Sequence, residues 1–234
     1  MPILLASVTE EVLNANEKKR LKELTEWNYF NNPDETAATL FTEWSKRMYR
    51  ALWEDETGND SIPLPEPEHH TTALLLRKNP NADFVDDIHT PVKETLASLS
   101  TSTFRESLNA LTIWADTNEK EWKWADFKGT GIRHMGRIAP FSREGIRVGG
   151  DLNIVNACSR THGPSWRMVV EFGPSSVIAH GIYPGGQSGN PGSPWYDNMI
   201  GDWAEGKLQE LVFLKQGQKE IPTGSKSIQI NPAK

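Results

Sequence analysis

The stretch Tyr183–Met199, YPGGQSGNPGSPWYDNM, holds four glycines and three prolines, yet apolar residues flank it on both sides. Ile178 and Ile182 precede it, and it carries Trp195 and Tyr196, with Trp203 beyond. A linker would not be bracketed in this way, so the segment reads as a loop with a set path. Pro184, Gly185 and Gly186 end an apolar strand. Gly189 to Gly192 are expected to supply positive φ, which other residues resist. The expected role is architectural: the loop returns the chain from a sheet toward Trp195 and Tyr196.

Working outward, the second half of the chain reads as β. GIRVGGD (145–151), LNIVNAC (152–158), SWRMVVEFG (165–173) and SSVIAHGIYPGG (175–186) are short apolar or alternating runs bounded by glycine, proline and serine. In SWRMVVEF the alternation puts Trp166, Met168, Val170 and Phe172 on one face and Arg167, Val169 and Glu171 on the other. A helix or turn is expected over 197–206, and LQELVFL (208–214) reads as a helix end or short strand.

The first half reads as helical. A helix is expected over 8–26 with Thr9 as N-cap, followed by a longer one over 34–54. In the latter Leu40, Phe41, Trp44, Met48, Tyr49 and Leu52 recur at spacings of three and four. DETGNDSIPLPEPEHH (55–70) is polar and proline-rich, hence a loop, and helices are expected over 91–99 and 102–116. The order is helices first, then antiparallel strands, which is α+β. Residues 1–128 form the mainly helical part, with a polar loop at 55–90, and 129–234 the β-rich part, together one folding unit.

The 234 residues carry a net charge of −6, which disfavours nucleic acid as a partner. No apolar run approaches a membrane span, and MPILLASVTEEV lacks the basic start of a signal peptide. Nine tryptophans promise a sizeable core. The single cysteine, Cys158, excludes an internal disulfide.

Candidate chemical groups each face a plainer reading. His69 and His70, with Asp86, Asp87 and His89, suggest a metal, but their spacing fits no compact zinc pattern. No metal or cofactor is therefore expected in this chain. GTGIRHMG brings glycines beside Arg133 and His134, yet without the strand and helix of a phosphate loop. Cys158 and His162 are four apart, but a cysteine in IVNACS reads as a small buried hydrophobe. Glu171, on the same strand face as Arg167, is either a solvated carboxylate or one aimed at a site across a neighbouring strand.

Three segments, GGDLNIVNA (149–157), HGPSWRMVVEFG (162–173) and YPGGQSGNPGSPWYDN (183–198), resemble the penicillin acylase family of N-terminal nucleophile hydrolases, in the C-terminal part of its β subunit. LTEWN and TAATLFTEWSKRMYRAL resemble that family's Leu-x-x-Trp-Asp-Gly turn and the helix after it, with Asn28 and Tyr29 replacing Asp-Gly. The resemblance implies a portion of an αββα sandwich. It also implies a precursor that cuts itself, freeing a serine that attacks an amide carbonyl with its own α-amine as base.

The same resemblance places that serine, the oxyanion asparagine and the calcium-binding acids outside the matching motifs. Glu171 is the single catalytic carry-over, an auxiliary carboxylate resembling a late glutamate of the cephalosporin acylase branch. The implied partners are the α chain and N-terminal β portion of the same precursor, a small-molecule amide substrate and, for a sheet cut from its neighbours, another copy. The implied location of the parent protein is the periplasm or the exterior. A stand-alone binding module reusing the fold is the rival reading.

Overall fold

The computed structural model describes residues 2–57, 65, 67–174 and 177–212. Residues 58–64 and 66 of the expected polar loop, and 213–214 of the LQELVFL run, lie outside these residues. The described chain is α+β. Helices α1 (Pro2–Ser7), α2 (Ala15–Thr25), α3 (Thr36–Thr57), α4 (His69–Lys78), α5 (Leu96–Asn118) and α6 (Trp124–Lys128) come first. Strands β1 (Thr130–Ile132), β2 (Arg143–Ile146), β3 (Arg167–Phe172), β4 (Val177–Ile182) and β5 (Gln209–Glu210) follow, with α7 (Ile200–Glu205) between the last two.

The helical half is organised by the apolar stripe of α3. Leu40, Trp44, Met48 and Leu52 fall four apart and are buried. They meet Phe104, Leu108 and Leu111 of α5 in one cluster. Trp44 stands edge-on to Phe104 with ring centres 5.2 Å apart, and its indole N–H donates to Thr103 Oγ1 at 3.1 Å. The ring is thus buried without an orphaned donor. Burial of a ring of this size contributes about 4–6 kcal/mol before entropic costs. Trp53 fixes α4 in the same way, donating to Thr72 Oγ1 at 3.1 Å.

Local capping redraws three expected helices. The helix expected over 8–26 is broken: Thr9 precedes only a 3-10 turn, and α2 starts at Ala15. Asn14 is the effective cap, accepting from Asn16 and Glu17 while Glu17 answers its backbone N–H. The two helices expected over 91–99 and 102–116 are one, α5, capped by Thr95 and Ser98. Helix α4 (69–78) lies within the stretch 55–90 expected to be a polar loop.

The β half contains two small antiparallel sheets, β1–β2 and β3–β4–β5. In the second, Arg167 pairs with Ile182 and Phe172 with Val177. A smaller cluster of Ile146, Val148, Cys158, Ile182 and Trp203 joins the strands to α7. LNIVNAC is not a strand. Its residues form turns between a single bridge, Asp151 to Ala157, and Val155 stands exposed. Among the described residues no strand lies alongside to take its backbone groups, so apolar composition alone does not make it β.

The 183–199 loop is fixed, though by a different device from the expected one. None of its glycines has positive φ. Gly186 is required by crowding, since a Cβ there would stand 2.0 Å from the Trp195 carbonyl oxygen. Ser188 N–H donates to that carbonyl, and Met199 N–H donates to Gly185 O at 2.9 Å. Tyr196 Oη donates to Phe141 O, and Arg143 pairs with Asp197, so the loop is clasped to the start of β2.

Candidate functional site

The Gly149–Gly150–Asp151 run lies where the two halves meet. A Cβ on Gly149 would reach Asn31 O at 2.6 Å, and Gly150 has φ +87 with Asn156 O 2.2 Å from its Cβ position. Only glycine fits either place. Gly150 N–H donates to Asn31 O at 2.9 Å. The run's carbonyls are held from α6: Lys128 Nζ donates to Gly149 O at 2.8 Å and Gly150 O at 3.1 Å, and the Trp124 indole N–H donates to Gly150 O at 2.8 Å. Lys128 is buried, and that burial pushes its pKa down, against the opposing pull of Cys158 and Asp151.

Asp151, Leu152 and Asn153 line a cleft of about 940 Å3, whose other lining residues come from α1, α3 and α4. Phe41, Ser45, Tyr49 and His69 line it, with the Tyr49 and His69 rings 4.4 Å apart. Apolar Ile3, Leu4, Met48 and Leu52 line it together with polar Thr42, Ser45 and Lys46, a mixed lining suited to an amphipathic segment or ligand.

Arg167 and Glu171 do not act as a pair. Four residues along a strand separate them by about 13 Å. The Arg167 guanidinium turns to α7, donating to Trp203 O and, at 2.8 Å, to Asn156 Oδ1, and lying 4.8 Å from the Trp203 ring centre. Burial pushes its pKa down as well. Glu171 sits opposite Ile178 on β4 and is exposed. Among the described residues its carboxylate has no hydrogen bond or ion pair, which leaves it available to a group outside them. The strand alternation gives no clean inside and outside either: Trp166, Met168, Val169, Phe172, Val177 and Ile178 are all exposed.

The remaining candidates scatter. His69 and His70 open α4, whereas His89 contacts Asp87 in a separate turn. Among the described residues no group of three or more His, Cys, Asp and Glu is placed to hold a metal ion. Cys158 is buried with Sγ 4.0 Å from Thr130 Oγ1, while His162 Nδ1 lies 2.9 Å from Thr161 Oγ1. Among the described residues no carboxylate joins that Thr161–His162 contact. Arg133 and His134 line a second, smaller pocket. The pattern reading missed Lys128 and Asn156, whose partners are distant backbone and side-chain groups; only the adjacent glycines at 149 and 150 hinted at a crowded junction.

A family model described as penicillin amidase matches residues 2–220. Among curated proteins, the acyl-homoserine lactone acylase QuiP of Pseudomonas syringae pv. syringae is 24% identical over 224 residues, covering 84% of this chain and 26% of that protein. QuiP of Pseudomonas aeruginosa is 25% identical over 230 residues, covering 84% and 27%. The chain thus spans about a quarter of the length of these relatives. Among solved structures, a thermostable penicillin G acylase from Alcaligenes faecalis aligns with TM-score 0.49 and 15% identity, over 95% of this chain and 44% of that one.

Proposed function

The chain belongs to the penicillin amidase family, and from this membership we propose that it is the C-terminal portion of an amidase that hydrolyses the bond between an acyl group and an amine. The substrate class is an acyl-homoserine lactone, a β-lactam side chain or a similar amide. The match over residues 2–220 carries this reading. In it, the nucleophilic serine and the oxyanion donors come from the rest of the precursor, and the reaction needs no cofactor from this chain. Helical and β-rich parts form one folding unit, and the parent protein works in the periplasm or outside the cell.

Within this reading the chain's own residues act as scaffold. Lys128, Trp124 and Asn31 hold the Gly149–Asp151 run, of which Asp151 lines the cleft. Arg167 locks β3 to α7. Glu171, exposed and unpaired among the described residues, is the auxiliary carboxylate that orients the nucleophile's hydrogen-bond network. The exposed apolar side chains of β3 and β4 support a missing covering layer, since such a hairpin is marginal without one.

The test compares the purified chain with the chain combined with the remaining part of its precursor, using an acyl-homoserine lactone and penicillin G. Released amine is expected from the combination and not from the chain alone. Turnover by the chain alone that disappears on substitution of one of its own residues overturns the reading. The exposed hairpin also fits a stand-alone binding module, which a lack of activity in both samples together with a stable monomeric chain supports.

A further inference from the structure

A second concave region, of about 530 Å3, shares no lining residue with the cleft beside α3. The segment after β1, the 161–165 stretch, Pro184 and Trp203 enclose it. Among the described residues its ionisable lining consists of Arg133, His134, Arg137 and His162, with no aspartate or glutamate. In a chain of net charge −6 this is a local concentration of cationic and donor groups.

The backbone prepares these donors. Arg137 N–H donates to His134 O at 2.8 Å, closing a turn in which Arg137 takes φ 57. That left-handed conformation is strained for arginine, on the order of 1 kcal/mol or more. Gly136 N–H donates to His134 Nδ1 at 3.2 Å. An accepting Nδ1 carries no proton, so the neutral ring keeps its proton on Nε2 and offers a donor there. Among the described residues the Arg137 guanidinium has no ion pair.

Arg133 shows what the site takes. Its guanidinium lies 3.4 Å from Glu144, whose carboxylate rests over Gly131, where a Cβ would meet Glu144 Oε2 at 1.9 Å. Glu144, outside the pocket lining, therefore compensates Arg133 from behind, while Arg137 keeps its charge for a bound group.

We infer that this pocket binds the oxyanion of a small molecule, a carboxylate or a phosphate, through Arg137 and the His134 Nε2 donor, with Glu144 competing for Arg133. Charge-assisted hydrogen bonds from arginine are the strong form of such contacts. Two arginines in a pocket of this size suit one oxyanion group rather than a polyanion, which needs an extended basic surface. The inference stands whether or not the chain is part of an amidase, because its readout is binding.

The experiment titrates the whole chain with inorganic phosphate and, separately, with acetate, at ionic strength held constant with chloride, and follows backbone amide shifts. Saturable shifts confined to residues 130–137 and 161–165 are expected. Arg137→Asn removes the charge while tolerating the left-handed backbone, and is expected to weaken binding about tenfold. Glu144→Gln removes the competing carboxylate and is expected to tighten binding severalfold. Saturation by both probes assigns a general oxyanion site, and saturation by one assigns that source. No saturable shift with either probe, or equal affinity in wild type and both variants, overturns the inference.

Discussion

The Arg167 guanidinium lies 4.8 Å from the centre of the Trp203 ring and donates a hydrogen bond to that residue's own carbonyl. One side chain of β3 thus holds both the ring and the backbone of α7. Arg167→Ala is expected to cost about 1–3 kcal/mol, and Arg167→Lys nearly as much, because an ammonium lacks the planar fork that reaches Trp203 and Asn156 together. Denaturant unfolding measures both. Wild-type stability in the lysine variant would mean that charge alone suffices.

Lys128 carries a pH signature. Its pKa is lowered in the folded state, chiefly by burial, so at neutral pH the fold bears the cost of a desolvated charge. As pH rises from the lowered folded value toward the ordinary lysine range, the unfolded chain holds more protons than the folded one, and stability rises. Lys128→Met should lack this alkaline gain. Parallel stability profiles for the two proteins across that window would refute it. At neutral pH the variant also loses the bonds to Gly149 and Gly150, a cost of about 1–3 kcal/mol.

Gly150→Ala should be among the most damaging small substitutions. The residue has φ +87, and the added methyl carbon would stand 2.2 Å from Asn156 O. A loss of about 2 kcal/mol or more is expected, read as a lower thermal midpoint. Gly189→Ala, with open space at its Cβ position, serves as the near-neutral control.

On the proposed reading, Glu171→Gln in the complete precursor is expected to slow turnover on the order of ten- to a thousandfold, as loss of an orienting carboxylate would. The chain's own stability should be unchanged, since Glu171 is exposed on β3. Unaltered turnover reduces it to a solvated surface group.

The hairpin should drive association of the isolated chain. Phe172 is 82% exposed and Val169 58%. Phe172→Glu combined with Val169→Lys is expected to shift sedimentation from larger species toward monomer. A wild-type chain that sediments as a compact monomer at high concentration removes the need for a covering partner.

Sequence alone determined the class and the order of elements. The α3 stripe is a short-range property, since residues three and four apart share a face wherever the helix lies. The same holds for the strands over 167–172 and 177–182. The three motif segments also carried the family, which the match over residues 2–220 bears out. The start of α2 was legible in principle, because Asn14 and Glu17 form a capping box three residues apart. Tertiary structure decided the rest. LNIVNAC has strand composition, but a strand exists only where a neighbour accepts its backbone hydrogen bonds, and among the described residues none lies alongside. The 183–199 glycines were legible as necessary, yet their reason, the approach of Gly186 to the Trp195 carbonyl, follows from a loop closure rather than from local φ. Arg167 and Glu171 share a strand face in sequence, but Trp203, 36 residues on, draws the arginine away. Side-chain direction is set by the partner that best satisfies charge and hydrogen bonds, and spacing along the chain does not contain that partner.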